Sequence, residues 1–287
     1  EALSQACRLA PDNARAKILL AASKALNNDV SGAVSDLDAI QNKQDPVLAV
    51  AQGLIYSLKG EVNVAAERLS AATGAGAELR SKALVQLGLL LTAQGKIAEA
   101  QACFDQVLAA TPENPHARFY RAVCLDLGRS SREALSEFDA ISRAGGPLAA
   151  EAAVQASRIY LLTNEIPLAL EASDRAQQLG ANSPAFHTIR GRILARNGQI
   201  NEARESFRNA MRSDPSYAPA HLENGLLFIQ TGQITEGLAE LQAYLELIDP
   251  NLPDARVNEV RGLIQQLQDA QSPKTTTSAL ESRSSGA

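Results

Sequence analysis

One skeleton of residues recurs along this chain in steps of about 34, and a period of that size constrains the fold more than any other feature. In Pro184–Tyr217, Gly191 and Leu194 share one face of a first helical segment and Gly198 interrupts it. Ala203, Phe207 and Ala210 then form a stripe on a second segment. Pro215 stops that segment, because its ring cannot continue the backbone ladder. In Ser81–Asn114 the skeleton reads Leu87, Gly88, Leu91, Gly95, Ala100, Phe104, Val107 and Pro112. A unit this small cannot bury its own stripe, so copies must stack and share a core.

The period divides the chain into seven units at 14–45, 46–80, 81–114, 115–149, 150–183, 184–217 and 218–251. The first is degenerate, with its turn at Asn27-Asn28-Asp29. The second closes on glycines rather than proline, and the fourth closes on Gly145-Gly146-Pro147. In the fifth, Ser173 stands where a large apolar residue is expected, and Pro167 falls in the first turn of a helix, where a missing N–H is tolerated. Residues 1–11 read as the second half of a truncated repeat, with Leu3, Ala6 and Pro11 in the places of Phe207, Ala210 and Pro215. Such a start leads us to expect further repeats or another domain before Glu1. Residues 252–271 carry Val257, Val260, Leu263, Ile264 and Leu267 at helical spacing, which predicts a capping helix. The tail 272–287 is rich in serine and threonine and is expected to be disordered.

Helix, turn, helix and terminal proline at this spacing resemble the tetratricopeptide repeat family. The resemblance implies an all-α fold: a right-handed α-α superhelix, or solenoid, of about seven helix-turn-helix units with a C-terminal capping helix. Small residues at Gly88, Ala122, Gly191 and Gly225 would then face Ala100, Ala134, Ala203 and Gly237, and Phe104, Phe138 and Phe207 would fill the gaps between units. The resemblance also implies a concave groove lined by first helices. Its positions carry over onto Val50, Leu54, Leu58, Val85, Leu89, Phe119, Val123, Arg158, Arg192, Arg196, Leu222 and Leu226. Thr92, Asp126, Val154, Leu161, Thr188 and Ile229 are secondary positions. Such a groove is apolar at both ends, with an arginine cluster between. It suits an amphipathic helix or an extended apolar peptide. Relatives that bind chaperone carboxylates use a lysine and asparagine clamp. Val50, Leu54, Val85 and Leu89 stand at those positions here, so that partner class is disfavoured. The arginines can hold an acidic ligand segment, or they can be solvated or paired within the chain. Residues 184–217 contain six Arg against three acids, whereas 218–251 contain five acids and no Lys or Arg. Adjacent units of opposite sign can steer a partner or pair with a second copy.

Other functions find little support. A net charge of −5 gives no basic surplus for nucleic acid. No apolar run is long enough for a membrane span. Three cysteines make no disulfide framework; Cys103 and Cys124 fall in apolar stripes, and Cys7 follows no apolar run. His116, His187 and His221 lie at helix starts in separate units without a ligand cluster, so neither a metal nor a cofactor is expected. No phosphate loop or nucleophile elbow is present. The chain therefore reads as a non-enzymatic protein–protein scaffold or adaptor that binds a partner helix or peptide. Its repeat style looks bacterial, a setting in which relatives often assist envelope or secretion complexes. Two alternatives stay open: a self-assembling homo-oligomer, and the targeting arm of a larger enzyme. The compartment, cytoplasmic or periplasmic, stays open as well.

Overall fold

A computed structural model describes residues 5, 9, 10, 13–42, 44–74, 76–248 and 255–271. Among these the chain is all-α, with fifteen α-helices and no strand. They are α1 (Ala14–Leu26), α2 (Val30–Asp38), α3 (Pro46–Leu58), α4 (Val62–Ala71) and α5 (Ala77–Ala93). Then come α6 (Ile97–Ala110), α7 (Pro115–Leu127), α8 (Ser131–Ala144), α9 (Ala149–Leu162) and α10 (Ile166–Gln178). The last are α11 (Pro184–Arg196), α12 (Ile200–Ser213), α13 (Ala218–Gln230), α14 (Ile234–Leu247) and α15 (Ala255–Gln271). The half-repeat expected at 1–11 and the tail at 272–287 lie outside the described residues, apart from Gln5, Leu9 and Ala10.

Two compact units divide the chain, the first ending at Ile159 and the second beginning at Tyr160. In the first, α1 packs on α2, α3 on α4, α5 on α6 and α7 on α8, and the first helices α1, α3, α5 and α7 touch in succession. In the second, α11 packs on α12 and α13 on α14, α11 touches α13, and α15 packs on α14.

Local chemistry sets the helix ends. Pro46, Pro115 and Pro184 open α3, α7 and α11, where a lost N–H has no partner to lose. Just before them, the side chains of Asp45, Asn114 and Ser183 accept hydrogen bonds from backbone N–H groups of the first turn. Pro167 lies in the first turn of α10. The turn between paired helices places one residue in the left-handed region: Asn28, Gly60, Gly95, Arg129, Asn164, Gly198 and Gly232. In the α7–α8 turn the left-handed residue is Arg129 (φ 67°), while Gly128 keeps an ordinary φ of −76°. The glycine thus sits one residue away from the place that needs it.

The core sets a large side chain against the first-helix glycines. A Cβ added to Gly88 would lie 2.6 Å from the Phe104 ring, and one added to Gly191 would lie 2.5 Å from the Phe207 ring. The same approach brings Gly53 against Leu69 and Gly225 against Leu241. The glycines therefore make room for the large side chain one turn beyond the expected alanine. Ala100 and Ala203 are fully buried nearby. Gly225 does approach Gly237, whose carbonyl oxygen would lie 3.1 Å from the added atom. Phe104 also stacks on Tyr120 of the next helix pair, with ring centroids 6.0 Å apart. Ser173 is fully buried and accepts a 3.0 Å hydrogen bond from Arg190 Nη1, so a polar pair replaces the apolar contact expected there. At the C-terminal end, Val257, Val260 and Ile264 of α15 are buried, the last two in one cluster with Leu222, Leu238, Leu241 and Tyr244.

Candidate functional site

In the first unit the predicted groove residues divide by what their neighbours leave uncovered. Leu54 and Leu58 of α3 are 40% and 66% exposed. Val50, Val85 and Leu89 are half-buried, packed on a cluster built from Leu84, Leu87, Leu91 and Phe104. Val123 is half-buried on α7. Phe119 is a correction: it is 5% exposed and lies edge-to-face on Phe138, centroids 5.5 Å apart, so it belongs to the core of the α7/α8 pair. Val154 is buried as well.

Val85 and Leu89 line a cleft of about 810 Å³ together with Tyr120 of α7. Glu78, Lys82 and His116 stand around it, and Lys82 and Glu78 form an exposed 2.6 Å ion pair. Tyr120 was not among the expected groove residues. Neighbours on a helix point about 100° apart, so with Phe119 turned into the core the next ring is left at the groove. That adjacency was the available signal.

Arg158 is the second correction. It pairs with Asp126, and its Nε donates to Gln155 Oε1 at 3.0 Å. Asp126 also accepts from Ser131 Oγ at 3.0 Å. Arg158 is thereby committed inside the first unit rather than held out to a ligand.

In the second unit, Arg192 and Arg196 project from α11. Arg192 Nε lies 3.5 Å from Glu223 Oε1 of α13. Arg196 is exposed and makes no ion pair among the described residues. Arg256 Nη2, from α15, lies 3.5 Å from the same Glu223 oxygen. Leu226 is half-buried. Leu222 is a third correction, at 5% exposure within the cluster that α15 completes. Thr188 and Leu161 are also buried. Neither Glu223 nor Arg256 was expected at a site. An amphipathic pattern predicts that α15 exists but not which of its polar residues meets α13.

Burial pushes the Cys103 and Cys124 thiols up, with only a partial opposing effect on Cys124 from the Thr92 hydroxyl. A raised thiol is a poor nucleophile. The histidines lie apart: His187 contacts Asn182, and His221 contacts Glu240. Among the described residues no group of His, Cys, Asp and Glu can hold a metal ion, and no helix is long and apolar enough to cross a membrane.

Comparison with known proteins adds to this geometry. A family model described as tetratricopeptide repeat matches residues 85–134 and 190–254. A tetratricopeptide repeat protein from Parabacteroides merdae superposes with a TM-score of 0.63 at 19% identity, over 79% of this chain and 88% of that one. Yeast Tom70 superposes with a TM-score of 0.64 at 18% identity, over 94% of this chain and 58% of that one. Both likenesses are of fold. The TPR repeat-containing thioredoxin TTL4 of Arabidopsis thaliana is 38% identical over 65 residues, a match that spans 23% of this chain and 10% of the plant protein.

Proposed function

The chain belongs to the tetratricopeptide repeat family, and from that premise we propose that it is a non-catalytic scaffold or adaptor for a partner protein. The partner segment, an amphipathic helix or an extended apolar peptide, lies along the first helices α3, α5 and α7. The observation that carries this reading is the 810 Å³ cleft of Val85, Leu89 and Tyr120, on the same succession of first helices as exposed Leu54 and Leu58. These side chains belong to helices already fixed by a shared core, so the groove needs little ordering and the partner bears most of that cost. Fully burying a leucine is worth about 1.5–3 kcal/mol. The exposed fractions of Leu54 and Leu58 therefore offer roughly 2 kcal/mol between them. We place the function in a bacterial envelope or secretion assembly on the style of the repeats alone.

The test is affinity capture from lysate, comparing wild type with a Leu54→Glu, Leu89→Glu variant shown by circular dichroism to be folded. We expect a protein retained by wild type and lost by the variant. Equal retention by both would remove the groove from the account.

A further inference from the structure

Four first helices of the first unit end on apolar residues that the fold leaves uncovered. Leu26, Leu58, Ala93 and Leu127 close α1, α3, α5 and α7. The three leucines are 89%, 66% and 53% exposed, and Ala93 is exposed as well. Each of these helices passes into its partner through three residues, so alternate helices run the same way. Their end residues therefore fall along one edge of the unit, in the order set by contact between successive first helices. Leu54 and Leu89 stand one turn back from Leu58 and Ala93 on the same helix faces, which widens the row into a strip. A single exposed leucine is ordinary on a protein surface. A row repeated at one place in successive helices is a patch.

The spacing of the row selects what can lie on it. Packed helices stand about 8–10 Å apart. A helix laid across them returns the same face every seven residues, or about 10.5 Å. An extended peptide returns one face every two residues, about 6.4–6.8 Å, and falls out of step within one interval. The row covers roughly 24–30 Å, which is about five helical turns. Ala93 lies between two leucines, so a bulky side chain of the incoming helix fits opposite it.

The turns along this edge add cations beside the last two helices. Lys96 and Arg129, just after Ala93 and Leu127, are exposed and make no ion pair among the described residues. The other turns differ: Lys59 is held by Glu61 at 2.7 Å, and Asp29 accepts from the Gly32 N–H at 2.9 Å. Arg129 also holds a left-handed position (φ 67°) that Asn28, Gly60 and Gly95 fill in the other turns. Its side chain is kept there against a backbone cost.

We propose that this strip is the docking line for an amphipathic helix of the partner protein. That helix is about five turns long, with large apolar residues at heptad spacing and acidic residues on the flank facing Lys96 and Arg129. The inference rests on the scaffold reading above and deepens it, choosing a helix over an extended peptide and fixing its register.

The test is fluorescence anisotropy with a labelled, end-capped probe of three Leu-Glu-Ala-Leu-Gln-Glu-Ala heptads. One analogue has every Glu replaced by Gln, and another has a central Ala replaced by Pro to break the helix. Wild type should prefer the acidic probe over the amide analogue by about fivefold, and over the proline analogue by about tenfold or more. Leu26→Glu with Leu127→Glu should weaken binding about tenfold or more. Lys96→Gln with Arg129→Gly should remove the preference for the acidic probe. All four side chains are exposed, and circular dichroism checks that the variants fold. Failure of the acidic probe to bind overturns the inference, as does equal binding of either analogue or indifference to the Leu26 and Leu127 substitutions. So does a wild-type mass that rises with concentration and falls back in the Leu26 and Leu127 variant, because a second copy would then cover the strip. A captured partner lost by the Leu54 and Leu89 variant but kept by the Leu26 and Leu127 variant would refute this inference alone. Retention by the Leu54 and Leu89 variant would sink the scaffold reading itself.

Discussion

Gly191→Ala isolates the contact that sets the spacing of a helix pair. The new methyl carbon would lie 2.5, 2.7 and 2.8 Å from three carbons of the Phe207 ring. Phe207 is 1% exposed, so its ring has no free space to swing into. Overpacking of this kind costs about 1–3 kcal/mol, while alanine gains about 1 kcal/mol over glycine in a helix interior. The net expectation is a loss of roughly 1 kcal/mol. Replacing Phe207 with valine removes the ring, and Gly191→Ala in that background should stabilise by up to about 1 kcal/mol. The cycle of four proteins, followed by urea denaturation with far-ultraviolet circular dichroism, should give a coupling of about 1–3 kcal/mol. The α7/α8 pair shows how such a contact can be accommodated. Ala122 and Phe138 hold the equivalent places, and Phe138 lies edge-to-face on Phe119. Thr188 stands where Phe119 would be needed on α11, so that arrangement is closed to Phe207. An equal cost for Gly191→Ala in both backgrounds would refute the glycine–ring account.

Other substitutions probe other parts of the chain. Arg129→Gly should stabilise by up to about 1 kcal/mol, because a left-handed non-glycine residue costs roughly 1–2 kcal/mol and glycine's extra chain entropy returns about 0.5–1; a lowered denaturation midpoint would contradict this. The Tyr56 hydroxyl donates to Asp38 Oδ2 at 2.8 Å, and that hydrogen bond, followed by burial, pushes its pKa up to about 12. The folded chain thus holds this proton more tightly than the unfolded chain. The stabilisation is complete below about pH 10 and lost between about pH 10 and 12. Solvent screening reduces it to about 1 kcal/mol. Ultraviolet titration should show a tyrosine step near pH 12, absent in Tyr56→Phe; its persistence would assign it to another tyrosine, such as Tyr217, which burial also raises. Asp126→Ala strips Arg158 of its carboxylate and should cost about 1–3 kcal/mol, whereas a change within about 0.5 kcal/mol would mean the pair is structurally idle.

Features set by near neighbours in sequence were legible from it. Pro46, Pro115 and Pro184 open helices because proline is cheapest where the N–H is unpaired anyway. The glycine at 53, 88, 191 or 225 and the large side chain sixteen positions later belong to one helix pair, so periodicity exposes both. Orientation between pairs was not legible. Phe119 and Leu222 occupy the same repeat register as half-buried Val50 and Val85, and only the packing of Phe138 and α15 reveals that they are fully covered. The partner of Arg158 was not legible, because Asp126 comes from the preceding first helix. Arg129 took the left-handed position although glycine stood beside it, since helix length, not residue preference, placed the turn.

The central claim is that partner segments run along the first helices, and site-specific photo-crosslinking tests it most directly. A photoreactive amino acid would replace Leu54 or Leu89 on first helices, and Glu67 or Glu99 on the exposed sides of α4 and α6. Each protein would be irradiated with the partner recovered by capture. The account predicts crosslinked partner from the Leu54 and Leu89 positions and none from Glu67 and Glu99. Crosslinking from the second helices alone, or equally from all four, would contradict it.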